Sequence, residues 1–415
     1  MNLVRRCRNV KHLPSRIDIR LPSVYILSVR RVYLDHTATT PLDPRVREAM
    51  EPYFAETFGN ASSVHWYGQQ AKIALEEARS TIARAIGAHP GEVFFTSGGT
   101  ESDNFAVKGA AYAGRTKKKE HIITSAAEHH AVLEPCEHLA REAFDLTVLP
   151  VDVHGRASPG QVEKALTDGT VLVSIMHANN EVGTISDIAE IARVAHERGA
   201  MVHTDAVQSL GKIPVDVSDL QVDLMTLSAH KLYGPKGIGA LYIRKGTEIE
   251  PLLQGGGQER GRRPGTENIP LAVGFAKAIE LAVGTLEQES KRLSVMRDAL
   301  ESAIRQEFPA VVFNGHPAER LPHILNVSLD SSRLDIEGDT LLMNMDLQGI
   351  AVTSGSACTS GSMQPSHVLL AMGRDPRTAG ATLRFAFGKG NTSADVGQVV
   401  DTLKLVLDRM CGRSS

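Results

Sequence analysis

The pattern of apolar and polar positions becomes regular near residue 33. From there, short apolar and β-branched runs alternate with longer stretches of helical period. The runs at 93–96, 121–125, 171–176, 201–205, 222–227 and 238–243 predict strands. Between them, 68–86, 101–113, 130–142 and 186–198 carry apolar residues at helical spacing. Strands that are apolar nearly throughout and separated by helices predict a parallel-rich sheet covered on both faces, an α/β three-layer core. A Gly/Pro-rich break, GGGQERGRRPGTENIP, fills 255–270. After it, 271–308 reads as one long helix. A strand at 324–329, helices at 338–347 and 393–410, and a strand-like 383–387 follow and predict a smaller α/β unit.

Length agrees with this division, because 415 residues exceed what one compact core usually holds. The expected units are a basic extension at 1–31, without regular structure, a large domain at 32–285 and a small domain at 286–415. The first residues of the large domain could also pack with the small one. A formal net charge of −3 gives no basic field for nucleic acid, so that partner class is not expected. No apolar run reaches the roughly 20 residues of a membrane helix. The cysteines Cys7, Cys136, Cys358 and Cys411 lie far apart, with no zinc spacing. A reducing compartment is expected, where a cysteine acts as a single thiol. Residues 1–31 hold eight Arg or Lys against the one acid Asp18. That bias has the look of an organelle presequence, so the expected cytoplasmic location carries a mitochondrial alternative.

Four segments carry candidate chemistry. VFFTSGGTESDN (93–104) runs from a strand through Gly98 and Gly99 into a helix, whose unpaired N–H groups suit a phosphate. MVHTDAVQSLG (201–211) puts Asp205 at the carboxyl end of a strand, where α/β sheets bind ligands and an acid can pair with a heterocyclic cation. Capping the next helix is the more common use of such an acid. LSAHKLYGPKGIG (227–239) sets Lys231 among small residues after a strand, where its amine could bond a carbonyl carbon, although a lone lysine usually snorkels to the surface. TSGSACTSGS (353–362) surrounds Cys358 with small and hydroxylic residues, which is the setting of an accessible thiol on a loop. A phosphate anchor, a pyridinium partner and an amine that bonds a carbonyl are together what pyridoxal phosphate requires.

These motifs, with YLDHTATTPL (33–42), GNASSVHWYG (59–68), EHHAV (128–132), MHANNEVG (176–183), GGGQERGRRPGTEN, SGSACTSG and LRFAFG (383–388), resemble the cysteine desulfurases of the class V aminotransferase-like group. The resemblance covers the chain from about Tyr33 onward. It implies the aspartate-aminotransferase-like fold (fold type I), with a large three-layer α/β domain, a mainly parallel sheet and a smaller α/β domain. It implies that Lys231 holds pyridoxal phosphate covalently and moves the substrate Cα proton. Asp205 would pair with the ring nitrogen, Gln208 with the phenolic oxygen, and His129 would stack on the ring. Gly99, Thr100, Ser228 and His230 would hold the phosphate. Thr266 would reach the phosphate of the neighbouring subunit in a homodimer. Asn180 and Arg384 would bind the substrate carboxylate, although Asn179 and Asn180 could each cap a turn. The Cys358 thiolate would take sulfur from L-cysteine as a persulfide, leaving L-alanine, and hand it to an iron–sulfur scaffold or another acceptor protein. No resident metal is implied; a transient iron–sulfur ligand role for Cys358, shared with a scaffold, is. Ala61, His36, Thr37, Gln258 and Pro264 depart from the usual spelling without removing a catalytic group. RPGTEN resembles the selenocysteine lyases, which keeps that β-elimination activity as the alternative, and a silent partner-binding scaffold is a third reading. The ACTSG loop points to the cysteine branch.

Overall fold

The structure is a computed structural model that describes residues 30–355 and 364–412. Cys358, the loop around it, and nearly all of the basic extension lie outside the described residues.

The strands are β1 (Val32–Tyr33), β2 (Val93–Thr96), β3 (His121–Ser125), β4 (Asp145–Leu149), β5 (Thr170–Ser174), β6 (Met201–Asp205), β7 (Leu224–Ser228), β8 (Gly239–Ile243), β9 (Val311–Asn314), β10 (Ile324–Leu329), β11 (Ile350–Ala351) and β12 (Thr382–Ala386). The main sheet has seven strands in the order β2-β8-β7-β6-β5-β3-β4. From β7 to β4 every neighbour is parallel, and β8 runs antiparallel to both β7 and β2. All residues of β2, β3, β5, β7 and β8 are buried, which explains their largely apolar and β-branched spelling. One core layer packs the helices Trp66–Ala85, Ile188–Glu197 and Ile269–Gly284 on the sheet. The other packs Gly99–Arg115 and His130–Arg141. Backbones approach closely where β8 meets the Gly98 turn: a Cβ on Gly239 would lie 2.5 Å from the Leu227 carbonyl oxygen and 2.8 Å from Gly98 Cα.

The expected 271–308 helix is two. Ile269–Gly284 and Leu286–Glu307 bend by 71° at Thr285, which leaves helical geometry (φ −122°, ψ 12°). The bend sends the two helices to different cores. Phe275 and Ile279 join the main-sheet core, whereas Leu293, Met296, Leu300 and Ile304 pack on a second core around β10 and β12. There β9, β10 and β12 form an antiparallel sheet. The parallel pairing of β1 with β11 brings Val32 to the same core and leaves Tyr33 exposed. Among the described residues, no single helix is long and apolar enough to cross a membrane.

Candidate active site

The carboxyl ends of β6 and β7, with the loops after β3 and β5, open on one cavity of about 400 Å³. Ten residues singled out from the sequence line it: Gly99, Thr100, His129, Asn180, Asp205, Gln208, Ser228, His230, Lys231 and Arg384. This is where open α/β sheets hold ligands. Thr266 does not reach it; it lies on a separate cavity of about 200 Å³ beside Ser97 and Arg263.

Lys231 stands on the short 3₁₀ turn that follows β7. Its Nζ donates to the Thr37 carbonyl and, at 2.7 Å, to that of Ala38. Burial lowers the amine to about 8; Arg384 adds to this, while Asp205 and Asp35 oppose it. Asp205 ends β6 and is buried. Burial raises its carboxyl to about 6, against the Val207 N–H that donates to Oδ1 at 2.8 Å and the charge of Lys231. An acid and an amine therefore face each other with their usual charges weakened. A cationic ligand placed beside Asp205 would restore its ionised form.

At another wall the 17-residue helix Gly99–Arg115 begins without a side-chain cap. Beside this start the Ser228 hydroxyl is buried and has no hydrogen-bond partner. Gly99 leaves little room, since a Cβ there would lie 3.1 Å from Val207 Cγ2. Uncapped N–H groups and an unpartnered hydroxyl are donors suited to an anion. His230 is steadied by Thr39, whose Oγ1 lies 3.1 Å from Nδ1.

His129 lies at the open side of the cavity and caps the helix His130–Arg141, with Nδ1 accepting from the Ala131 N–H at 3.1 Å. Desolvation by surrounding protein, then the charge of Lys231, hold it below the usual histidine range, so it is neutral near pH 7. The buried Gln208 donates from Nε2 to the Thr37 carbonyl at 3.0 Å. The two asparagines divide their roles. Asn179 is buried and caps the turn, its Oδ1 accepting from the N–H groups of Glu181 (2.8 Å) and Val182 (2.9 Å). Asn180 lines the cavity and offers its carbonyl to Arg384 Nη1 at 3.0 Å.

The class V aminotransferase family model matches residues 32–399. A cysteine desulfurase IscS from Dictyoglomus turgidum is 49% identical over 381 residues, covering 92% of this chain and 95% of that protein. One from Methanosarcina thermophila is 48% identical, covering 92% and 93%. The chain belongs to the cysteine desulfurases of the class V aminotransferase family. Among solved structures, a NifS-like protein superposes with a TM-score of 0.85 at 40% identity, covering 91% of this chain and all of that one. A structure of SspA in complex with cysteine superposes at 0.74 with 37% identity, covering 86% and 98%. These matches agree with the fold read from the sequence.

Further residues at or near the cavity carry no role read from the sequence. Asp103 lines the cavity, is buried and has an unpartnered Oδ1 that lies 3.6 Å from His203 Nε2. Burial and then the charge of Asp205 raise its carboxyl. Glu128, directly before His129, is wholly buried and accepts from the Ser125 hydroxyl (2.6 Å) and the Met176 N–H (2.9 Å). Glu181 is buried against Gly355 and Ser366, whose hydroxyl it accepts. Asp35 and Thr37 sit about 190 or more residues before the groups they bind. Only the spelling YLDHTATT hinted at them. Of the other cysteines, Cys136 is buried, and desolvation pushes its thiol up to about 12, far from a nucleophile's range. Cys411 is exposed.

Proposed function

We propose that this chain is a pyridoxal-phosphate-dependent cysteine desulfurase that moves the sulfur of L-cysteine onto Cys358. The observation that carries the reading is the meeting of Lys231 and Asp205 in one cavity whose remaining wall is an uncapped helix start with an unpartnered Ser228 hydroxyl. Those residues fit the cofactor. Lys231 would hold it covalently, Asp205 would take the ring nitrogen, Gln208 the phenolic oxygen, and Gly99, Thr100, Ser228 and His230 the phosphate. When bound, pyridoxal phosphate supplies an electron sink for the charge left at the substrate Cα.

The chain's own residues account for the rest. Arg384 and Asn180 would hold the carboxylate of L-cysteine and so fix which Cα bond faces Lys231. The depressed basicity of Lys231 leaves a useful fraction of neutral amine near pH 8, able to take the Cα proton. His129, kept neutral, can pass a proton at the open side. The Cys358 sulfur then bonds the substrate sulfur as the carbon–sulfur bond breaks, leaving L-alanine and a persulfide. Acceptor proteins, iron–sulfur scaffolds among them, would receive that sulfur. The cysteine held by the SspA structure supports the substrate, as do the relatives' names. A second copy of the chain would bring its Thr266 to the phosphate. Exposed Phe58, Val64 and Trp66 supply apolar surface for that contact.

The test is turnover. A Cys358→Ala variant should form no protein-bound persulfide and lose nearly all alanine formation. Full-rate consumption of L-cysteine by it would refute the route. Turnover of L-selenocysteine that far exceeds L-cysteine and is untouched by C358A would assign the chain to the lyases instead.

A further inference from the structure

We infer that Asp35 is a specificity-determining residue, which occupies Arg384 until the carboxylate of an amino-acid substrate displaces it. The inference rests on the reading of Arg384 as the carboxylate contact and adds a competitor for that contact. Arg384 lies on β12 and is only 5% exposed. Its Nη2 donates to Asp35 Oδ1 at 2.8 Å and to Thr353 Oγ1 at 3.0 Å. Nη1 donates to the Asn180 carbonyl at 3.0 Å, and Nε is buried with no partner.

A guanidinium grips a carboxylate through two parallel N–H groups, and either gripping edge, Nη1 with Nη2 or Nε with Nη2, uses Nη2. Both Nη2 hydrogens are taken here. A ligand carboxylate can form the two-point grip only by replacing Asp35 or Thr353. Asp35 is the partner that carries charge, so exchange with it leaves one carboxylate on the guanidinium before and after. Its backbone is tied down: Asp35 bridges to Ala386, and the Tyr33 hydroxyl donates to its carbonyl at 3.0 Å. The side chain alone is placed to swing. It also acts on the amine, since its charge favours the protonated form of Lys231. A small anion that offers a carboxylate and nothing else must break this ion pair unaided. An amino acid has a second anchor at the Lys231 end to offset the exchange. Asp35 thereby filters carboxylates by whether they also carry an amine.

The experiment uses holoenzyme and two ligands. Propionate, which lacks the amine, is titrated calorimetrically, and KM for L-cysteine is measured in parallel. In Asp35→Asn the buried guanidinium loses its charge partner, so propionate should bind on the order of tenfold more tightly, while KM for L-cysteine falls less. Propionate affinity that is unchanged or weaker in D35N overturns the inference and reduces Asp35 to a residue that orients Arg384. If D35N does not fold, Asp35→Ser is read in the same way. Arg384→Gln separates the two layers. A raised KM with no propionate binding upholds the carboxylate contact, whereas an unchanged KM removes that contact and the filter with it.

Discussion

Two buried charge clusters in this molecule behave in opposite ways. Arg79 and Glu259 are 2% and 6% exposed and satisfy each other, with Nη1 and Nη2 donating to the two carboxylate oxygens at 2.6 and 2.8 Å. Arg79 also donates to the Val93 carbonyl at 2.8 Å, and Glu259 accepts from the Phe95 N–H at 3.0 Å. This pair pins the 255–266 segment to β2 and holds Glu259 at a left-handed φ of +46°. In the cavity, Asp205 and Lys231 are also enclosed, but they have no such fork, and each is displaced toward its neutral form. A completed buried pair is architecture. An incomplete one, next to orphaned donors such as Ser228 Oγ, marks where a ligand completes the bonding.

The sharpest break of this contrast is Lys231→Ala, expected to lower desulfurase turnover by on the order of 10³-fold or more with little loss of fold. Retained turnover would place the chemistry elsewhere. Next is Glu259→Ala. It leaves the buried Arg79 with only the part-exposed Glu76 as a counter-charge and should cost about 3 kcal/mol in denaturant unfolding. A cost near zero would remove the architectural role. Asp205→Asn should act in the other direction on the cofactor-free protein. The folded carboxyl titrates near 6, above its ordinary 3.8. Below about pH 3 both states hold the proton and the acid is without cost. As pH rises to 6 the unfolded chain ionises first, and stability is lost. The asparagine variant should therefore gain on wild type between pH 4 and 6, reaching on the order of 2 kcal/mol. A gain that is flat across that range would contradict the burial argument. The smallest effect is expected at the exposed Arg193, paired with Glu190 and Glu197. Arg193→Ala should leave the melting temperature unmoved, as a solvated pair does.

Legibility in the sequence followed locality. β2, β3 and β6 were readable to the residue, because nearly complete burial concentrates apolar and β-branched residues in them. β4 escaped because it is the edge strand, where only Leu149 is buried and the other residues are exposed or half-buried. β9, half-buried and four residues long, escaped likewise. The bend at Thr285 escaped although Gly284 stands directly before it, because a lone glycine does not by itself end a helix, and the break is decided by which core each half meets. In the site, groups on recognisable turns were found. Asp35, Thr37, Asp103 and Glu181 were not, since their roles come from contacts that no local spelling encodes.

The central claim is that Lys231, and no other amine, takes the cofactor. Lys212 is the fair competitor: it too is buried, and desolvation lowers it to about 8, yet it is absent from the cavity lining and sits 5.5 Å from the Tyr233 ring. Loading with pyridoxal phosphate, borohydride reduction and peptide mass spectrometry distinguish the two. A single reduced adduct on the peptide containing Lys231, lost on adding the K231A change, is the predicted result; an adduct on Lys212, or one that persists in K231A, would contradict it.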